Sequence, residues 1–155
     1  MIFKTRIYID TSVIGGCEDE EFSKWSISLF KEIKEGIKVA VISDVTLKEL
    51  EKAPDSIKKI LKNLPQKNVE RVYLTEYSEA LSEYIKNGAV SKKNISDAQH
   101  IAIATIEHVA VLVSWNFKHI VNLERIHSYN SINIKLGYPV LEIRTPREVL
   151  NEKEV

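Results

Sequence analysis

A chain of 155 residues with 44% hydrophobic and 28% charged residues is long enough to bury a real core and too apolar to be a disordered one. Lys plus Arg and Asp plus Glu both total 22, so the formal net charge is zero; a strongly basic, nonspecific nucleic-acid binder is excluded, and any contact with nucleic acid must come from a local patch or a metal. No apolar run approaches the roughly 20 residues of a membrane span, residues 1–10 do not read as a signal peptide, and the single cysteine, Cys17, fits a reducing cytoplasm.

The first strand signal is the β-branched and aromatic run 6–9, which stops at Asp10. Asp10, Thr11 and Ser12, followed by Gly15 and Gly16, read as a loop. Phe22, Trp25, Ser26, Leu29, Phe30 and Ile33 recur at helical spacing and form one amphipathic face, closed by Gly36. Residues 39–42 are continuously apolar, as in a strand covered on both faces. Ser43 or Asp44 can cap the next helix, which carries Val45, Leu47, Glu49 and Leu50. Pro54 ends that helix or starts another, whose stripe is Ile57, Ile60, Leu61 and Leu64.

Residues 69–74 suit a short strand, and Thr75 can cap a helix bearing Ala80, Leu81, Tyr84 and Ile85 that ends near Gly88. Ser96 or Asp97 opens a helix that is apolar on most sides, from Ile95 to Ile106, and so belongs in the middle of the domain. Residues 109–115 form the second strongly buried strand, 117–136 look mostly helical, 140–143 form a last strand, and Pro146 starts a terminal helix. Strands alternate with helices, which predicts a three-layer α/β/α domain around a mostly parallel sheet of about five strands. No repeat or linker divides 1–155, so one domain is expected.

Ligands of an open α/β sheet bind beyond the carboxyl ends of its strands. Asp10 ends the first strand, Glu49 lies in the helix after the second, Asp97 opens the helix before the fourth, and Asn116 follows that fourth strand. Four oxygen-bearing side chains can therefore meet over one edge. Oxygen donors suit Mg2+ or Mn2+, and a cation removes the repulsion between gathered carboxylates. It can also activate a water and offset charge on a phosphate. Thr11 and Ser12 can hydrogen-bond a ligand or a phosphate oxygen.

These residues carry a resemblance. Tyr8-Ile9-Asp10-Thr11-Ser12-Val13-Ile14 resembles the opening motif of PIN domains, Leu47-Lys48-Glu49-Leu50 their second, and the run from Ser96 and Asp97 to Ala104 their third. The run from Val111 through Trp115 and Asn116 to Phe117 resembles the fourth, and Val140 to Pro146 the last strand and Thr-Pro helix start. The resemblance implies a single PIN-like domain and a metal-dependent endoribonuclease, often the toxin of a toxin–antitoxin pair (VapC type). It implies Asp10, Glu49 and Asp97 as acidic ligands of Mg2+ or Mn2+, an RNA substrate, an antitoxin partner and a homodimer. The sequence departs from the family at the fourth motif, where Asn116 stands for the usual Asp and His119 for a further acid. One negative charge is lost, so a weakened PIN domain that binds RNA or protein without cutting is the alternative. His119 can contact phosphate or simply pack.

Each residue also has a plainer reading. Asp10 is otherwise a turn residue, Asp97 and Asn116 helix caps, and Glu49 a solvated residue with Glu51 as its rival. The histidines show no zinc spacing. Trp25 is read as core, and Trp115 as packing rather than a base-stacking platform. The lysines at 48, 52, 58, 59, 62, 92, 93 and 118, with Arg125, read individually as solvated faces. A haloacid-dehalogenase-type phosphatase would need an Asp where Ser12 stands.

Overall fold

Five parallel strands form one sheet in the order β3-β2-β1-β4-β5, with β1 at its centre. They are β1 (Thr5–Ile9), β2 (Lys38–Ser43), β3 (Val69–Val72), β4 (Val111–Val113) and β5 (Ile143–Arg144). The helices are α1 (Thr11–Gly15), α2 (Ser23–Lys34), α3 (Asp44–Leu50), α4 (Asp55–Lys62), α5 (Glu76–Ala89), α6 (Ile95–Ile106), α7 (Leu123–Lys135) and α8 (Pro146–Val149). This computed structural model describes residues 4–89 and 95–151, so Lys92 and Lys93 lie outside the described residues.

Alternation along each strand sorts the core into two layers. Ile7, Ile9, Ala40, Ile42, Val111 and Val113 face Leu29, Phe30 and Ile33 of α2 and Ile57 of α4. Tyr8, Val41, Leu112 and Ile143 face Leu81 and Ile85 of α5, the apolar run of α6 and Tyr129 of α7. Both faces of the sheet are covered, which is why the strands read as unbroken apolar runs. Ser43 caps α3 by accepting from the Thr46 N–H, and Thr145 with Glu148 forms a capping box on α8. Among the described residues no helix is long and apolar enough to cross a membrane.

Several boundaries differ from the sequence expectation. The segment from Asp10 to Gly16 is not a loop beyond Asp10: Thr11–Gly15 is helical and Gly16–Glu18 is a 3-10 turn. Gly16 is there because a side chain would not fit, since a Cβ would sit 2.7 Å from Ser26 Oγ and 2.8 Å from Trp115 Nε1. The strand expected over 109–115 shrinks to Val111–Val113. At its start, His108 adopts a left-handed φ of 53° and the Val109 N–H closes the end of α6 on the Ala104 carbonyl. At its finish, the Trp115 N–H turns to Ser12 Oγ. The last strand begins at Ile143 rather than 140, because the Asn130 amide takes both the N–H and the C=O of Leu141. The helix expected over 117–136 begins at Leu123, capped by Asn122, whose Nδ2 also donates to the Phe117 and Lys118 carbonyls. β3 stops at Val72, and the Leu74 N–H goes to Asp44 Oδ1.

Candidate metal centre

Asp10 sits where β1 leaves the sheet, its N–H still donating to the Val113 carbonyl. Its carboxylate does not cap α1, so the turn-residue reading has no bond to rest on. Instead Oδ2 accepts from Ser12 Oγ and Ser114 Oγ, both at 2.7 Å, and the group is 5% exposed. Two hydroxyl donors on one oxygen orient the carboxylate and leave Oδ1 facing His100 Nε2 at 3.4 Å. Ser12 also accepts the Trp115 N–H at 2.9 Å, which ties the turn after β1 to the turn after β4.

Glu49 reaches the same place from α3. Its Oε1 accepts from Thr11 Oγ1 at 2.8 Å and lies 2.6 Å from His100 Nε2. Burial alone would raise its pKa, but the hydrogen bond and charge of His100, with the Thr11 hydroxyl, hold the carboxyl below its ordinary value. Its rival Glu51 lines a separate groove with Leu47, Leu61 and Lys62.

His100 is the residue the sequence reading missed. It lies three residues after Asp97 on α6, is 1% exposed, and points Nε2 at Glu49 and, at 3.4 Å, at Asp10 Oδ1. The i, i+3 spacing from Asp97 was the available signal, hidden because the helix is apolar nearly all round. Burial disfavours the imidazolium, but the Tyr8 oxygen and the Glu49 and Asp10 carboxylates outweigh it and hold the imidazole well above its usual pKa. Ser114 was missed as well; its only mark in the sequence is a hydroxyl at the end of an apolar run.

The ligand atoms of Asp10, Glu49 and His100 all lie within 4.8 Å of one another. Two carboxylate oxygens and an imidazole nitrogen at such spacing fit a divalent cation in size and charge. Asp97 stands beside this group rather than in it. Its carboxyl is pushed up to about 6, first by burial, then by the Asp10 charge, with Glu49 adding and His100 and Arg125 opposing. It is in the first turn of α6, where a carboxylate complements the helix dipole. Asn116 turns its amide nitrogen towards Asp97 Oδ1 at 3.5 Å, while its oxygen accepts the His119 N–H at 3.0 Å. The His119 pKa is lowered by burial and then by the charges of Lys118 and Arg125.

The neighbouring aromatics are structural. Trp115 stacks on Phe22 with ring centroids 4.2 Å apart, and its Nε1 donates to Ser26 Oγ. Cys17 is no nucleophile: burial, then the Glu18 charge, push its thiol up to about 11.

No protein-family model matches the sequence, and no curated protein matches it. Solved structures do match in fold. VapBC2 from Rickettsia felis, seen bound to a DNA fragment from its promoter, is 16% identical with a TM-score of 0.55, over 91% of this chain and 98% of that one. FitAcB from Neisseria gonorrhoeae is 13% identical with a TM-score of 0.56, over 92% and 99%. VapC20 from Mycobacterium tuberculosis, described as a sarcin–ricin loop cleaving toxin, is 14% identical with a TM-score of 0.54, over 72% and 91%. The chain therefore shares a PIN-like α/β/α fold with these three proteins, over nearly the whole length of each of them.

Proposed function

We propose that the protein is a divalent-metal-dependent endoribonuclease of the VapC kind, with its metal at the carboxylates of Asp10 and Glu49, where His100, Asp97 and Asn116 meet them. The observation that carries the reading is the meeting of three ligand side chains at the carboxyl edge of a parallel sheet, in a fold shared with a toxin described as cleaving the sarcin–ricin loop. A bound Mg2+ or Mn2+ supplies water activation and charge neutralisation at the scissile phosphate. The chain's own part is to orient the ligands. Ser12 and Ser114 hold the Asp10 carboxylate, Thr11 holds Glu49, and Arg125 adds positive charge near Asp97. Asp97, raised by burial and then by the Asp10 charge, adds a further carboxylate beside the site whose ionised form a bound cation would favour. An antitoxin partner, a homodimer and a cytoplasmic site of action belong to the same proposal.

Purified protein is expected to cut single-stranded or structured RNA with Mg2+ or Mn2+, and Asp10→Asn to abolish the cutting. Equal cleavage by that variant would sink the reading.

One observation favours a second reading, a binding module that does not cut. The Asn116 oxygen, the atom that could replace the family's Asp as a ligand, is engaged by the His119 backbone. On that reading calorimetry finds no Mn2+ binding at millimolar concentration, while RNA or a protein partner still binds.

A further inference from the structure

Among the buried groups of the molecule, one chain of hydrogen bonds runs from the cap of α3 to the site. Thr46 Oγ1 has one proton, and it goes to the Ile9 carbonyl, which can only accept. Ser43 Oγ must therefore donate to Thr46 Oγ1, over a long 3.4 Å, and also accepts the Thr46 N–H. Tyr8 Oη then donates to Ser43 Oγ at 2.7 Å, which leaves its oxygen to accept from His100 Nδ1 at 2.6 Å. The proton count puts a hydrogen on Nδ1. Nε2, 2.6 Å from Glu49 Oε1, carries a proton as well in the metal-free protein and donates it to that carboxylate, and a bound cation would take the place of this proton. All four side chains are buried, Tyr8, Ser43 and Thr46 fully and His100 to within 1%.

A histidine that merely fills a core can be satisfied by any two neutral partners. Here one nitrogen is fixed by a relay rooted in the backbone, and the other is aimed at the meeting point of two carboxylates from separate elements. An acceptor on the ring nitrogen turned away from the metal is the usual way proteins set the tautomer and orientation of a metal-binding imidazole. Asp10 is prepared in the same manner, since both its hydroxyl donors fall on Oδ2 and Oδ1 faces His100 Nε2.

We propose that His100 Nε2 is a direct metal ligand, so that the site is a mixed nitrogen–oxygen centre of Asp10, Glu49 and His100 that takes Mn2+ in preference to Mg2+, with Tyr8 as the residue that positions the imidazole. The proposal rests on the metal-site reading above. Its metal preference follows from the donor set, because imidazole suits transition metals while Mg2+ keeps to oxygen and water.

The test is pulsed electron paramagnetic resonance of the full chain loaded with Mn2+, read for coupling to a directly bonded nitrogen, together with calorimetric titration of Mn2+ and Mg2+. Wild-type protein should show the nitrogen coupling and bind Mn2+ at least about tenfold more tightly than Mg2+. His100→Gln should lose the coupling and bring the two affinities together. Tyr8→Phe should keep the coupling but weaken Mn2+ by about 10- to 100-fold, the usual effect of removing a group that holds a metal-binding imidazole in place. Mn2+ bound to wild-type protein without nitrogen coupling overturns the inference and leaves an all-oxygen site, a result that needs no variant to fold. No Mn2+ binding at all removes both the inference and the nuclease reading. Nitrogen-coordinated Mn2+ with no RNA cleavage keeps the inference and removes only the nuclease.

Discussion

The two ends of the sheet bury charge in opposite ways. At the amino end, Lys38 at the start of β2 meets Glu32 of α2, both almost wholly buried. Asn151 completes the set, its side chain accepting from Lys38 Nζ at 3.1 Å and its N–H donating to Glu32 at 3.2 Å. Arg6 of β1 holds Glu70 of β3 through two bonds of 2.6 and 2.8 Å. Each of these two acids has a cation of its own. At the carboxyl end, Asp10, Glu49 and Asp97 gather around a single histidine, and Asp97 is raised to about 6 by the crowding and burial. Where charge serves only the fold it is answered within the chain. Where it is left in excess, a cation from outside is the natural complement.

The sharpest way to break this comparison is at the amino end. Lys38→Met leaves Glu32 buried without its cation, and removal of one partner from a buried pair costs about 3–5 kcal/mol. Urea denaturation should show that loss, and adding Glu32→Leu should recover most of it. A loss under about 1 kcal/mol would mean that the pair is solvated and that the two ends do not differ as described.

At the carboxyl end the sign reverses. In protein kept metal-free with a chelator, Asp97 carries a folded-state pKa of about 6 against an ordinary 3.8. A raised acid favours the protonated fold, so its contribution is full below about pH 4 and is lost as pH rises through 6. Asp97→Asn should therefore be more stable than wild type at pH 7, by about 1 kcal/mol once solvent screening of this partly exposed group is allowed for. At pH 4 the two should melt alike. A variant that is less stable at pH 7 would show that the acids at this end are already compensated.

Only the carboxyl-end half of this contrast was legible before the structure. Apolar runs that stop at a polar residue located Asp10 and Asn116 at strand ends, and helical spacing put Glu49 and Asp97 near them. What stayed hidden depends on partners distant in sequence. His100 looks like one more buried position on an apolar helix until Tyr8, 92 residues away, fixes its ring. The strand ends were over-read at 109–110 and 140–142 because β propensity cannot tell a ladder bond from one made by a helix end or by the Asn130 amide. Gly15 and Gly16 read as loop residues, yet the space between Ser26 and Trp115 is what demands Gly16. The Lys38–Glu32 pair was invisible for the same reason: nothing in a lysine before an apolar run says that its ammonium is buried.

The smallest effect expected lies at the other amino-end pair, and its pH dependence carries the argument. Arg6 and Glu70 are each about a third exposed, so Arg6→Gln should cost about 0.5–1 kcal/mol, less at high salt, despite the paired geometry. The Arg6 hydrogen bond holds the Glu70 carboxyl below its ordinary value, against the opposing pull of burial. A depressed acid stabilises the fold above its unfolded pKa, and that contribution fades as pH falls through the carboxylate range. Acid therefore weakens the amino end of the sheet, whereas over pH 4 to 6 it relieves the carboxyl end. Melting curves of Arg6→Gln and Asp97→Asn against wild type, taken without metal from pH 7 into the acid range, should show stability differences that move in opposite directions, the Asp97→Asn difference between about pH 4 and 6 and the Arg6→Gln difference only below the ordinary Glu value of 4.5. Parallel slopes would mean that the two ends hold their charges by the same means.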